Sequence, residues 1–176
     1  VDFTDIRCPH CRKLHEDLGT LREEVGDLFS IDNRHFPLDS SCNAKLPMPP
    51  KDGVSCLAAK AQICMEGDPK AWDFSSALFE AQRDLSEQKI YEIASRFTDV
   101  DRLKACMRSE QTEATLQDDI ALAWNLGIEG TPLVFVNDRR APSFSGLLYL
   151  LILNEGRSTH PAFKALPPPS LSAHMH

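Results

Sequence analysis

Val1-Asp2-Phe3-Thr4-Asp5-Ile6-Arg7-Cys8-Pro9-His10-Cys11 stands at the head of the 176-residue chain, and its last four residues decide how the rest is read. Cys8 and Cys11 fall at i and i+3 on the first turn of a helix, with Cα atoms about 5–6 Å apart, inside the window a disulfide requires. Pro9 suits the first helical position, where a missing N–H leaves nothing unpaired and φ is already helical. Cys8 then sits at the helix N-terminus, where free backbone N–H groups and the positive end of the dipole favour an anion. A thiolate is such an anion and is the nucleophile of disulfide exchange. His10, when protonated, adds a positive charge nearby. The pattern is that of a redox-active dithiol.

Two other readings of the pair stay open. One is half of a zinc site in a zinc-binding domain, which needs a second Cys/His pair at ligand spacing; the chain contains no second Cys-x-x-Cys, and metal analysis distinguishes this reading. The other is a purely structural disulfide in a binding module without catalysis.

The flanking residues support a βα unit. Leu14, Leu18, Leu21, Val25 and Leu28 recur at steps of three and four, giving one apolar stripe on a helix from Pro9 to Gly26. Val1 and Phe3 share one face of a short preceding strand. Here the sequence resembles known families: Val1-Asp2-Phe3 before the cysteines looks like thioredoxin, and Cys8-Pro9-His10-Cys11 looks like DsbA, the periplasmic thiol oxidant. The resemblance implies an α/β thioredoxin fold with an inserted helical domain. It also implies a cis-proline loop before a late strand, and Gly130-Thr131-Pro132-Leu133-Val134-Phe135-Val136-Asn137 fits it. Leu133–Val136 is a continuous apolar run suited to a central strand, and a proline at its start loses no needed donor. Thr131 and Pro132 are thereby implied as the site where an extended substrate pairs. Asp2 matches the buried carboxylate that passes a proton to or from the second cysteine, here Cys11.

The expected division is a discontinuous thioredoxin-like domain at residues 1–46 and 109–160, a helical insert at 47–108 and a flexible tail at 161–176. Within the insert, helices are expected over the alanine-rich run from Val54 to Met65, around Trp72, Leu78 and Phe79, and around Ile90, Ile93 and Phe97. Thr98-Asp99-Val100-Asp101 resembles a capping box opening a fourth helix with Leu103 and Met107 on its apolar face. A helix from Glu110 to Leu126, burying Leu116, Ile120, Ala123 and Trp124, is expected to stop at Gly127. A short strand near residues 141–144 and a buried helix from Gly146 to Asn154 complete the order. The apolar run Leu147–Leu153 is too short to span a bilayer.

Cys42, Cys56, Cys64 and Cys106 allow three pairings. Cys64 follows Ala61 on one helix face and Cys106 ends the next helix but two, which favours Cys64–Cys106 and leaves Cys42–Cys56 to close the proline-rich loop at 46–50. The alternatives are buried free thiols, and a relay of electrons through Cys42 and Cys56. An even cysteine count fits an oxidising, periplasmic or extracytoplasmic compartment. Phe36-Pro37-Leu38-Asp39-Ser40-Ser41-Cys42-Asn43 resembles DsbA-like domains fused to, or partnered with, vitamin K epoxide reductase homologues, which implies a domain tethered to a membrane protein.

With 19 basic and 26 acidic residues the net charge is −7, which argues against nucleic acid and anionic membranes as partners. No metal site, cofactor loop or Ser/His/Asp constellation is present in the sequence, and no cofactor is expected. His15, His35 and His160 read as structural, and His174 and His176 as tail residues. The expected function is disulfide introduction into extracytoplasmic proteins by a monomer, with protein thiols as substrates and a DsbB-like or vitamin K epoxide reductase-like quinone reductase as redox partner. Reductase, isomerase, or electron donor to such a quinone reductase are the alternatives.

Overall fold

The structure, a computed structural model, describes residues 1–49 and 51–154. The expected tail at 161–176, with His160 just before it, lies outside the described residues. The elements run β1 (Asp2–Thr4), α1 (Pro9–Val25), a 3-10 turn (Gly26–Leu28), β2 (Asn33–His35), α2 (Val54–Ile63), α3 (Ala71–Glu80), α4 (Glu87–Ala94), α5 (Val100–Met107), α6 (Glu110–Asn125), β3 (Leu133–Val136), β4 (Arg139–Ala141) and α7 (Ser145–Leu153). The sheet order is β2-β1-β3-β4, with β1 parallel to β2 and antiparallel to β3. This is a thioredoxin fold, with α2–α5 inserted between β2 and α6.

Side-chain alternation sets the layers. Phe3, Leu133 and Phe135 pack with Phe36, Leu116, Ile120 and Ala123 under α6. Val134 points the other way, into Leu14, Leu18 and Leu21 of α1 and Leu148 of α7. The strands are short, but β1 is buried on both faces, as a central strand must be. Asp119, 1% exposed, ties α6 to β2 by accepting from Arg34 Nη1 at 3.1 Å and from the His35 backbone N–H at 2.9 Å. A third cluster contains Cys8, Cys11 and Ile6 together with Ala58, Phe74, Leu78, Ile90 and Leu103, so the inserted helices close over the two cysteines.

Gly127, at φ +70°, ends α6 as expected. The Ile128 and Gly127 N–H groups reach back to the Ala123 and Trp124 carbonyls at 3.0 and 3.1 Å, and a side chain at that φ would be strained. Several local expectations need correcting. Asp99, rather than Thr98, caps α5, accepting from the Arg102 N–H at 2.7 Å, while the Thr98 N–H completes the preceding turn on Ala94. Leu28 is 61% exposed, because the tighter 3-10 turn rotates it off the stripe of α1. Trp124 is only half-buried, its Nε1 donating to Asn43 Oδ1 at 2.9 Å. In α7 only Leu148 is fully buried, and Leu150 and Leu153 remain 46% exposed, since one face alone meets α1 and β3. The last strand begins at Arg139, ahead of the expected 141–144. Asn137 and Asp138 both take positive φ and close β3 to β4 in a two-residue hairpin, for which Asn and Asp are suited.

Candidate active site

β1 delivers the chain to a turn that Asp5 organises. Asp5 is 3% exposed. Its Oδ1 accepts from the Arg7 N–H and its Oδ2 from the Leu38 N–H, both at 2.6 Å, while its carbonyl accepts from the Cys8 N–H at 3.1 Å. The turn therefore begins as an Asx motif, a signal the sequence carries in Asp5-Ile6-Arg7 and one the sequence reading passed over. Cys8 is the N-cap of α1 with extended φ/ψ (−81°, 120°), and Pro9 follows at the first helical position. Its carbonyl accepts from Cys11 and Arg12, both at 3.1 Å, starting the helix.

The two sulfurs differ sharply in their surroundings. Cys8 is 8% exposed, with Pro9 and His10 exposed beside it, and Cys11 is fully buried. The Cys8 thiol is lowered from 9.0 to about 5. The largest cause is a hydrogen bond from the Cys11 thiol. Burial opposes the shift, and the Thr131 hydroxyl and the backbone N–H groups of Cys11 and His10 add to it. The shift thus comes from donors gathered at a helix start, and what His10 contributes there is its main chain. Burial, and then the bond it gives to Cys8, push Cys11 well above the ordinary thiol range. The Asp5 N–H approaches Cys11 Sγ at 3.5 Å. Both cysteines are free thiols.

The Thr131–Pro132 peptide bond is cis and leads directly into β3. It places the Thr131 carbonyl 3.4 Å from Cys8 Sγ, which donates to it as a thiol. The Thr131 hydroxyl is buried and makes no hydrogen bond to a described residue, so it is free to turn towards the sulfur once that proton is lost. Asp2 lies on β1, 4% exposed. Burial raises it from 3.8 to about 6, against lowering by the Val1 amino group and by Asn33, whose Nδ2 donates to Oδ2 at 2.8 Å. Its Oδ1 has no partner among the described residues. The structure therefore brings Cys8, Pro9, His10, Cys11, Thr131 and Pro132 together at one end of the sheet. Asp2 lies on β1, its side chain bonded to Asn33.

Gln82, between α3 and α4, was not legible in the sequence. It is 8% exposed, and its Nε2 donates to the Ile6 and Cys8 carbonyls at 3.0 and 3.3 Å. Only the fold brings it there, 74 residues from Cys8. The other four cysteines form two disulfides, Cys42–Cys56 and Cys64–Cys106. His15 is held by Ser76 Oγ at 2.7 Å and stacks on Trp72 at 3.9 Å, and burial lowers it to about 4. His35 is buried in β2. Among the described residues no group of three or more His, Cys, Asp or Glu is arranged to hold a metal ion, and no helix is long and apolar enough to cross a membrane.

A family model described as thioredoxin matches residues 1–146, and the chain belongs to that family. It is similar to disulfide bond formation protein D of Bacillus subtilis, 26% identical over 157 residues that cover 82% of this chain. The chain spans 65% of the length of that protein. Among solved structures it resembles oxidised BdbD of Bacillus subtilis, with a TM-score of 0.69 at 21% identity over 88% of this chain and 84% of that one. It also resembles the thiol-disulfide exchange protein alpha-DsbA2 of Wolbachia pipientis, with a TM-score of 0.66 at 20% identity over 87% of this chain and 78% of that one. The fold is thus the DsbA-like form of the thioredoxin fold.

Proposed function

We propose that the protein is a thiol-disulfide oxidoreductase that introduces disulfides into extracytoplasmic proteins through Cys8 and Cys11. The observation that carries this reading is the geometry at one helix start: Cys8 caps α1 against the cis Thr131–Pro132 loop while its neighbour Cys11 is fully buried, an arrangement that lowers the first thiol and raises the second. In the oxidised enzyme a substrate thiolate attacks Cys8 Sγ. The Cys8–Cys11 bond breaks, and Cys11 leaves with the electron pair and takes up a proton. The substrate chain lies along Thr131 and Pro132 in strand-like pairing. A second substrate thiolate then attacks the substrate sulfur of the mixed disulfide and expels Cys8 as a thiolate. The substrate has lost two electrons, and the enzyme carries them as a dithiol. Donors that stabilise the Cys8 thiolate stabilise the reduced enzyme, which makes the disulfide a stronger oxidant.

Asp2 is part of this proposal as the group that exchanges a proton with Cys11. Its burial, its rise to about 6 and an Oδ1 with no partner among the described residues support the role, since such a carboxyl changes charge near neutrality. A membrane quinone reductase of DsbB or vitamin K epoxide reductase type would reoxidise the enzyme, and the two further disulfides, Cys42–Cys56 and Cys64–Cys106, fit an oxidising compartment. We read residues 1–46 and 109–160 as the catalytic domain and 47–108 as a helical cover for it.

The test is the equilibrium potential of the Cys8–Cys11 pair in glutathione buffers, with Cys11→Ser as control. A value more oxidising than glutathione supports an oxidase. A strongly reducing value makes the protein a reductase or isomerase, and a pair that never exchanges leaves only a structural bridge.

A further inference from the structure

Beside the Cys8 loop lies a groove of about 620 Å³ lined by Arg7, Pro9, Arg12, Glu16, Gln82 and Arg83. It sets three guanidinium groups against one carboxylate, on a chain whose net charge is −7. The arginines come from three separate segments: Arg7 immediately precedes Cys8, Arg12 is one turn into α1, and Arg83 belongs to the loop between α3 and α4. Gln82, bonded to the Ile6 and Cys8 carbonyls, fixes that loop, and so the Arg83 backbone, against the reactive cysteine.

The arginines keep donors to spare. Arg7 uses Nη1 on both Asp52 oxygens at 2.8 Å, and Arg12 uses Nε on Glu16 Oε1 at 2.8 Å. Arg83 is exposed and makes no hydrogen bond or ion pair among the described residues. The ion pairs to Asp52 and Glu16 account for part of what Arg7 and Arg12 do, whereas nothing among the described residues accounts for Arg83. The first turn of α1 contains no acid, and a cation there meets the end of the dipole that disfavours it. Nor do the arginines account for the Cys8 thiolate, whose main support is hydrogen bonding. A planar guanidinium with free N–H groups fits a carboxylate with two parallel bonds.

We propose that this groove selects polypeptide substrates carrying Asp or Glu beside the reacting cysteine, with Arg83, Arg12 and Arg7 holding those carboxylates while the substrate sulfur reaches Cys8. The proposal rests on the exchange reaction above. The same bond forms between the substrate and Cys8, the same Cys8–Cys11 bond breaks, and the groove affects only the encounter and its lifetime.

The test follows the reaction of the full oxidised chain with three reduced peptides that differ only around one cysteine, bearing aspartates, glutamines or lysines. The aspartate peptide is expected to react roughly tenfold faster than the glutamine peptide at about 0.01 M ionic strength, and only about twofold faster at about 1 M, where screening is strong. R83Q is expected to cut the aspartate-to-glutamine ratio about threefold, within the range for one exposed pair, and R83K to recover part of it. Arg83 is exposed, so neither change touches the core. Equal rates for the aspartate and glutamine peptides overturn the groove while leaving the exchange reaction standing. A fastest lysine peptide also overturns it, showing that the overall negative charge governs encounter. If none of the three reacts, the exchange reading falls and the groove falls with it.

Discussion

One buried cluster touches two cysteine pairs that are wired in opposite ways. Cys8 and Cys11 lie inside it, and Cys64, bonded to Cys106, packs against its edge. Cys8 caps the N-terminus of α1, where backbone N–H groups converge and an anion is favoured. Cys64 caps the C-terminus of α2, and Cys106 lies in the last turn of α5. There the carbonyl ends of both helices disfavour a thiolate. Thr112 Oγ1 fills the space between them, 3.5 Å from each sulfur, and donates to the Cys106 carbonyl at 2.9 Å. Identical side chains thus stand as free thiols at one helix start and as a staple between two other helix ends. Opposite helix ends separate the two pairs, and burial then separates Cys11 from Cys8 within the first.

The sharpest way to break this contrast is to remove sulfurs from each pair. Cys8→Ser is expected to abolish exchange, by more than about a thousandfold, whereas Cys11→Ser should still capture substrate as a mixed disulfide visible on non-reducing gels. Removing both Cys64 and Cys106 is expected to leave exchange nearly intact but to cost about 4 kcal/mol in denaturant unfolding, given a sequence separation of 42 in the closed loop. The same change at Cys42–Cys56, with a separation of 14, should cost about 3 kcal/mol.

Asp2 extends the comparison to β1. Its folded value of about 6 lies above the ordinary 3.8, so the stability it contributes is complete below the lower value and lost as pH rises through the higher. Asp2→Asn is therefore expected to stabilise the protein by roughly 2–3 kcal/mol at pH 8, with the gain vanishing below about pH 4, as measured by unfolding at both pH values. The smallest expected effect is at Thr131. Thr131→Val removes a hydroxyl that is free to turn towards the Cys8 sulfur and should raise the thiol's pKa slightly, read as a small shift of the alkylation profile to higher pH.

How much of this was legible in the chain depends on the range of each signal. The dithiol, its helix, the apolar run of β3 and the stop at Gly127 are local patterns in which side-chain period or backbone freedom dictates the outcome, and the fold followed from them together with the family resemblance. The hairpin at Asn137–Asp138 and the Asx turn at Asp5 were also local, and each is marked by a residue type suited to that turn. Gln82 and the arginine groove had no such mark, because they exist only once α3 packs on α1 and the loop after it reaches the Cys8 turn. The exposure of Leu150 and Leu153 was hidden for a related reason: a helix that is apolar all round does not announce which face will find a partner.

The central claim is the asymmetry between Cys8 and Cys11, and a pH titration of thiolate absorbance on the reduced protein tests it most directly. One thiolate is expected to appear with a midpoint near 5 and to be lost in Cys8→Ser, while Cys11 stays protonated through neutral pH. A first midpoint near the ordinary 9.0, or one that survives in Cys8→Ser, would contradict it.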